Sequence, residues 1–206
     1  MRMKKVGLFG GTFNPPHIGH LLFAQEVLVS FGLDEIWFIP VNVPPHKESD
    51  DLASNEDRLD MLKSATNSND RFYVKTIELE REGRSYTIDT VKQLNEMYPT
   101  YDFSFLIGGD MIEYLPKWVS IDDLMKLVTF IGVKRPGTTV VSNEYSKDVR
   151  LIEMPQLDIS STDIRQRVHD GKPITYMVPE GVEALVKERS LYEPRTSIGN
   201  RQTSTY

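Results

Sequence analysis

Two histidines, His17 and His20, close a string that opens on two glycines: Gly10-Gly11-Thr12-Phe13-Asn14-Pro15-Pro16-His17-Ile18-Gly19-His20. Residues three apart on a helix share a face, so the spacing predicts two imidazoles aimed at one spot. Such a pair could stabilise charge on a phosphoryl group. Glycines let a ligand approach the backbone closely. A turn that runs into a helix also offers unpaired N–H groups and a positive dipole end to an anion. The string is not GxGxxG, and no Gly-Lys-Ser/Thr follows it, so neither the dinucleotide fingerprint nor the P-loop applies. Each part alone has other readings. The glycine pair could be a plain turn, and the histidines could be structural or bind a metal with Asp110 as a third ligand. The whole string is more specific than either part.

The elements that must position this string alternate between strand and helix patterns. Val6 to Phe9 reads as a strand, and Ile18 to Phe31 as a helix by the recurrence of Ile18, Leu21, Leu22, Leu28 and Val29. Ile36 to Ile39 is the next strand, followed by a polar, proline-rich loop from Pro40 to Ala53. Ser54 and Asp57 have capping-box spacing and open a helix through Ala65. A strand is expected over Phe72 to Ile77, a helix over Tyr86 to Met97, and two nearly all-apolar strands over Phe103 to Ile107 and Val128 to Val133. Apolar runs of that kind suit a parallel sheet buried on both faces, and the alternation implies a doubly wound α/β fold with a mostly parallel sheet. In such sheets ligands sit beyond the carboxyl ends of the strands, which is where the glycine–histidine string falls. After Val149 to Ile152 come two helical segments, Ser161 to His169 and Pro179 to Glu188, expected as a small C-terminal helical part of the same domain. The domain is expected to span 1–193. Residues 194–206 hold almost nothing apolar and are expected to form a disordered tail.

The chain of 206 residues suits one domain with a sizeable core. It has no cysteine, so disulfides and thiolate nucleophiles drop out. Its 24 basic and 30 acidic residues leave a net charge of -6, a poor basis for general nucleic-acid binding. The basic start, Met1 to Lys5, leads into an apolar run too short for a signal peptide, and nothing approaches the roughly 18 apolar residues of a membrane span. A cytoplasmic location and no membrane partner are expected. Self-association is left open.

Several further landmarks occur in order: Pro44-Pro45-His46-Lys47, Ser85-Tyr86-Thr87-Ile88-Asp89-Thr90, Gly108-Gly109-Asp110, Trp118, Arg135-Pro136-Gly137, Ile159-Ser160-Ser161-Thr162-Asp163-Ile164-Arg165 and Tyr176-Met177-Val178-Pro179. With these, the chain from Lys5 to about Tyr192 resembles the nucleotidyltransferase superfamily marked by an H/T-x-G-H signature. Within it, the resemblance is to bacterial nicotinate-nucleotide adenylyltransferases. It implies a Rossmann-like fold and a reaction of ATP with nicotinate mononucleotide that gives deamido-NAD and pyrophosphate. It implies Mg²⁺ on the polyphosphate, with no protein nucleophile.

The resemblance gives the candidate residues their roles. His17, His20, Lys47 and Arg165 are the catalytic candidates. Gly10, Gly11, Thr12, Phe13, Gly108, Asp110, Arg135, Ser160, Ser161 and Thr162 would hold ATP. Asn14, Lys47, Ser85, Tyr86, Thr87 and Trp118 would hold the mononucleotide. Lys47 would act as a point charge on a proline-stiffened loop, or is a plain loop lysine. Ser160 has capping-box spacing to Asp163, so a helix N-cap stands beside an anion site, with Arg165 one turn in as a forked cation. Asp110 could accept from a ribose, hold water on Mg²⁺, or cap the segment Met111 to Leu115. Trp118, outside any apolar run, is expected as a partly exposed ring able to stack on a pyridine, with a core position as the alternative. Tyr86 and Thr87 would donate to the nicotinate carboxylate, or simply start a helix capped by Ser85. Arg135 is placed near the adenine. The rivals are a sister adenylyltransferase acting on nicotinamide mononucleotide or phosphopantetheine, and a sensor that binds the same ligands without turnover.

Overall fold

Trp37 and Ile39 point to one side of their strand, Ile36 and Phe38 to the other, and all four are buried. A strand alternates its side chains between faces, so this segment needs apolar cover on both. The computed structural model describes residues 2–42, 52–109, 111–134, 143–155 and 157–194. Six strands lie in one sheet: β1 (Lys4–Gly11), β2 (Glu35–Pro40), β3 (Phe72–Val74), β4 (Tyr101–Ile107), β5 (Thr129–Lys134) and β6 (Arg150–Glu153). Their order is β3-β2-β1-β4-β5-β6, and every neighbouring pair is parallel. This is the doubly wound α/β sheet expected from the alternation.

Helices cover both faces. Phe23, Ala24, Val27 and Leu28 of α1 (Ile18–Ser30) and Leu62 of α2 (Asn55–Thr66) pack with Ile36 and Phe38. On the other face, Ile88, Val91 and Leu94 of α3 (Thr87–Met97), Ile112 of the short α4 (Met111–Tyr114) and Leu124 of α5 (Ile121–Leu127) pack with Val6, Leu8 and Trp37. A third cluster joins Met61 and Ala65 of α2 to Ile164 of α6 (Ser161–His169) and to Val182 and Val186 of α7 (Glu180–Glu188). Arg189, just past α7, adds ion pairs of 2.8 Å to both Asp57 and Asp60 of α2.

Some boundaries differ from those expected. β3 stops at Val74: Lys75 still donates to Phe38, but then the chain turns, with Glu80 bonded back to Thr76 and Arg81 to Glu78. The stretch over 150–153 is an edge strand, and α5 is an additional helix. Ser54 and Ser160 each accept from the amide three residues on, as N-caps do. Tyr86, not Ser85, is the N-cap of α3.

The sheet order places β2 on one side of β1 and β4 on the other. The connections reverse direction there, and a crevice opens at the carboxyl ends of the two strands. Gly10 and Gly11 end β1, and Gly108 and Gly109 follow β4. A Cβ on Gly109 would stand 2.6 Å from the Val133 carbonyl oxygen, so only glycine lets β4 leave the sheet this close to β5.

Candidate active site

Phe13 has φ 48, in the left-handed region that a bulky side chain rarely adopts, yet its ring is buried among Phe9, Phe38 and His20. Such a conformation persists where its surroundings over-determine it. The Thr12 carbonyl accepts from Arg58 at 2.8 Å, and the Asn14 carbonyl accepts from Arg165 at 2.9 Å. The Asn14 Oδ1 accepts from the Ala53 amide at 3.1 Å and the Tyr192 hydroxyl at 2.8 Å. Ser161 donates to the Pro15 carbonyl at 2.9 Å. Groups from α2, α6 and the end of the described chain therefore pin this one loop.

The two histidines do not share a helix face. His17 is the extended N-cap of α1, with φ -139 and ψ 170, and only His20 lies inside the helix. The His17 amide donates to His20 Nδ1 at 3.1 Å. An accepting Nδ1 leaves the proton of a neutral imidazole on Nε2, so this bond makes His20 Nε2 a donor. The rings stack at 3.6 Å between centroids. A Cβ on Gly19 would press to 3.1 Å from His17 Nδ1, which accounts for the glycine between the two histidines.

His17 is 7% exposed, and burial lowers its pKa to about 4. The imidazole is therefore neutral at neutral pH. In the unfolded chain it gains a proton near pH 6.5, and in the folded chain only near 4. Stability is retained above the unfolded value and falls as the pH drops from 6.5 to 4. At about 1.4 kcal/mol per unit the loss is on the order of 3 kcal/mol. Urea unfolding at pH 7 and pH 4.5 is expected to show that slope in the wild type and a flatter one in His17→Gln; equal slopes would remove His17 as the source.

Two cavities meet at His20. The larger, of about 430 Å³, is walled by the glycines of β1, by Ser85, Tyr86 and Thr87 at the start of α3, and by Phe105, Gly108 and Trp118. Trp118 is half-buried and stands edge-on against Phe105 and Phe130, at 5.8 and 5.9 Å between centroids, which fixes its ring as a flat wall. The Ser85 hydroxyl is buried in this wall and has no protein partner. Such a group costs stability unless a ligand or water satisfies it. Glu78 also faces this cavity. Burial raises its carboxyl pKa, against the opposing hydrogen bond from Thr90 and the charge of Arg81. The smaller cavity, of about 110 Å³, is walled by Thr12, Phe13, Asn14, His20, Leu52, Ser161 and Arg165. It pairs a guanidinium with the N-terminal turn of α6, the setting of an anion site.

Residues 8–167 match the cytidylyltransferase-like family. The chain belongs to that family. Within it, the sequence is 52% identical over 202 residues to a Geobacillus kaustophilus chain named "Probable nicotinate-nucleotide adenylyltransferase", covering 98% of this chain and 92% of the relative. It is 51% identical over 191 residues to the nicotinate-nucleotide adenylyltransferase of Bacillus subtilis, covering 93% of this chain and all of the relative. The resemblance drawn from the ordered landmarks thus extends over nearly the whole sequence. The fold matches that of a Plasmodium falciparum nicotinic acid mononucleotide adenylyltransferase complexed with NaAD, with TM-score 0.75, 22% identity, and 92% and 97% of the two chains covered.

In this cytidylyltransferase-like chain the predicted residues fall into four groups. Gly10, Gly11, Thr12, Ser85, Tyr86, Thr87, Gly108 and Trp118 wall the larger cavity. Thr12, Phe13, Asn14, Ser161 and Arg165 wall the smaller, and His20 walls both. His17, Ser160 and Thr162 wall neither: His17 lies stacked on His20, Ser160 caps α6, and Thr162 Oγ1 stands 3.5 Å from Arg165. Lys47, Asp110 and Arg135 lie outside the described residues. Arg58, Glu78 and Tyr192 reach the site without standing in any of the sequence landmarks. Arg58 sits in a run of charged residues that reads as a solvated helix face, and Tyr192 meets Asn14 only through the tertiary fold. Glu78 precedes Ser85 by seven residues and enters the cavity only because the chain turns back after β3. No helix among the described residues is long and apolar enough to cross a membrane.

Proposed function

We propose that this chain transfers the adenylyl group of ATP to nicotinate mononucleotide, giving deamido-NAD and pyrophosphate in NAD biosynthesis. The observation that carries the reading is the meeting of a flat-walled cavity and a small cationic one at a single histidine donor. The mononucleotide lies in the larger cavity, with its pyridine on Trp118, its carboxylate toward the Tyr86–Thr87 amides and Ser85, and its phosphate toward His20. The ATP polyphosphate lies in the smaller cavity, against Arg165, Ser161 and the amides of the Thr12–Asn14 loop. A phosphate oxygen of the mononucleotide attacks the α-phosphorus of ATP in line. The new P–O bond forms as the bond to the β-phosphate bridging oxygen breaks, and pyrophosphate leaves on the opposite side. Nε2–H of His20 donates to the α-phosphoryl oxygens as their charge grows. The chain acts by positioning and by electrostatic stabilisation. Lys47, Asp110 and Arg135 complete the proposed set.

Among the described residues no cluster of three carboxylates or histidines could hold a metal by itself. Mg²⁺ is usually held through substrate phosphates, water and one or two carboxylates, with no all-protein cage. Mg²⁺ would partly neutralise the polyphosphate. The reaction is placed in the cytoplasm.

Turnover with ATP and each of nicotinate mononucleotide, nicotinamide mononucleotide and phosphopantetheine, followed by pyrophosphate release, tests the reading. Deamido-NAD formation with the first substrate is expected. Binding of ATP without pyrophosphate release from any of the three would favour a sensor. We further propose that 1–193 is the whole catalytic unit. Truncation after Glu193 is expected to leave Tm and kcat/KM unchanged, and a large loss of either would assign a role to residues 194–206.

A further inference from the structure

Arg58 is a fully buried cation, with no exposed surface. It projects from α2 beneath the site and touches neither ligand cavity. Its Nη1 donates to the Thr12 carbonyl at 2.8 Å, and its Nη2 donates to the Val41 carbonyl at 2.7 Å and to Asn55 Oδ1 at 2.6 Å. No carboxylate pairs with it among the described residues. Leaving a guanidinium dry and without an anion is costly, and an apolar side chain would serve packing alone. What the arrangement supplies instead is geometry. The last sheet bond between β1 and β2 runs from the Val41 amide to the Gly11 carbonyl at 3.1 Å, and the fork extends that tie one residue further, to the Thr12 carbonyl in the loop after β1. A peptide unit is planar, so holding the Thr12 carbonyl also sets the direction of the Phe13 N–H. Phe13 is the residue with the left-handed backbone, and it walls the smaller cavity.

We propose that Arg58 is a positioning residue for adenylyl transfer: by clamping the Thr12 carbonyl to the end of β2, it aims the Thr12–Phe13 peptide at the phosphates of ATP. The proposal rests on the adenylyl-transfer reading above. It predicts an effect on the ATP side and on turnover, with the mononucleotide side spared.

Arg58→Lys keeps the charge but cannot make the fork, because an ammonium is a point donor. Misplacement of a reacting group by about 1 Å costs up to about a hundredfold. In Arg58→Lys, kcat is therefore expected to fall about 10- to 100-fold, and the Kd for ATP alone to rise about three- to tenfold. The KM for nicotinate mononucleotide is expected to stay within about threefold. Asn55→Ala removes one anchor of the fork from an exposed helix position. It is expected to lower kcat about three- to tenfold while Tm moves by no more than about 2 °C. Circular dichroism establishes folding, turnover gives the split between kcat and KM, and calorimetry gives ATP affinity. Folded variants with wild-type kcat and ATP affinity would overturn the proposal, as would a Tm loss with unchanged kinetics. If Arg58→Lys does not fold, Asn55→Ala decides by the same criteria. A wild type that binds ATP but forms no deamido-NAD would fail the adenylyl-transfer reading instead, and Arg58 would then be judged on ATP affinity alone.

Discussion

His20→Ala is expected to lower kcat by about 10²–10³, the typical cost of one preorganised donor to a developing charge. The geometry gives a reason for so large an effect. The His17 amide holds His20 Nδ1 at 3.1 Å, and the buried His17 ring stacks on its face, so the Nε2 donor is fixed before substrate arrives. It also walls both cavities, between which the proposed pose forms the new P–O bond. A group used mainly in the transition state lowers kcat and kcat/KM together, with the KM of both substrates changed little. His20→Asn separates two contributions. Its Oδ1 can still accept from the His17 amide, so loop geometry is kept while the ring donor is lost. It is expected to stay folded and to be nearly as slow as His20→Ala. A near-normal kcat in either folded variant would remove the role, and an unfolded His20→Ala beside a folded, active His20→Asn would make the residue structural.

A preference of at least about 10² in kcat/KM for nicotinate over nicotinamide mononucleotide is the second large expectation. The two differ only at the ring substituent, so phosphate, ribose and stacking contacts cannot separate them. Discrimination falls to donors aimed at the substituent. In the proposed pose the start of α3 supplies them, since the first amides of a helix have no partner within it. A hydrogen bond to a charged acceptor contributes about 1.5–3 kcal/mol, against about 0.5–1.5 for a neutral one. The carboxamide also turns an N–H₂ toward one of those donors and leaves it unpaired. One position gives roughly 10- to 100-fold, since about 1.4 kcal/mol is tenfold, and two give more. The Ser85 hydroxyl can donate or accept, so it does not discriminate. Trp118→Ala should weaken both substrates alike, because stacking does not sense the substituent. Competition assays with both mononucleotides read the ratio. Equal use would sink the substrate assignment while leaving adenylyl transfer standing, and a Trp118 variant with a changed ratio would show that the ring does more than stack.

What could be read from the sequence follows from which interactions are local. The β1–loop–α1 string was legible because its glycines, prolines and histidines act within a few residues of one another. Ser54 and Ser160 were legible as caps for the same reason. The central strands announced themselves through runs apolar on both faces. β6 did not, because at the sheet edge only Ile152 of Arg150–Glu153 is buried. β3 read too long because Ile77 is apolar, yet the chain has already turned by then. His17 and His20 do not share a helix face because the helix begins one residue after His17, and nothing in the spacing distinguishes an N-cap from a first turn. Arg58 was invisible because burial of a charged side chain is decided by what folds over it.

The loop between β1 and α1 is held from far along the chain. Arg165 reaches the Asn14 carbonyl across 151 residues, and the Tyr192 hydroxyl reaches Asn14 Oδ1 across 178. Contacts so distant in sequence form late, because loop-closure entropy opposes them until the intervening chain is in place. On the ribosome, the nascent chain is therefore expected to hold a nearly complete sheet before this loop is pinned. Emergence of α6 and of Tyr192 from the exit tunnel then pins the loop onto a scaffold that is already folded.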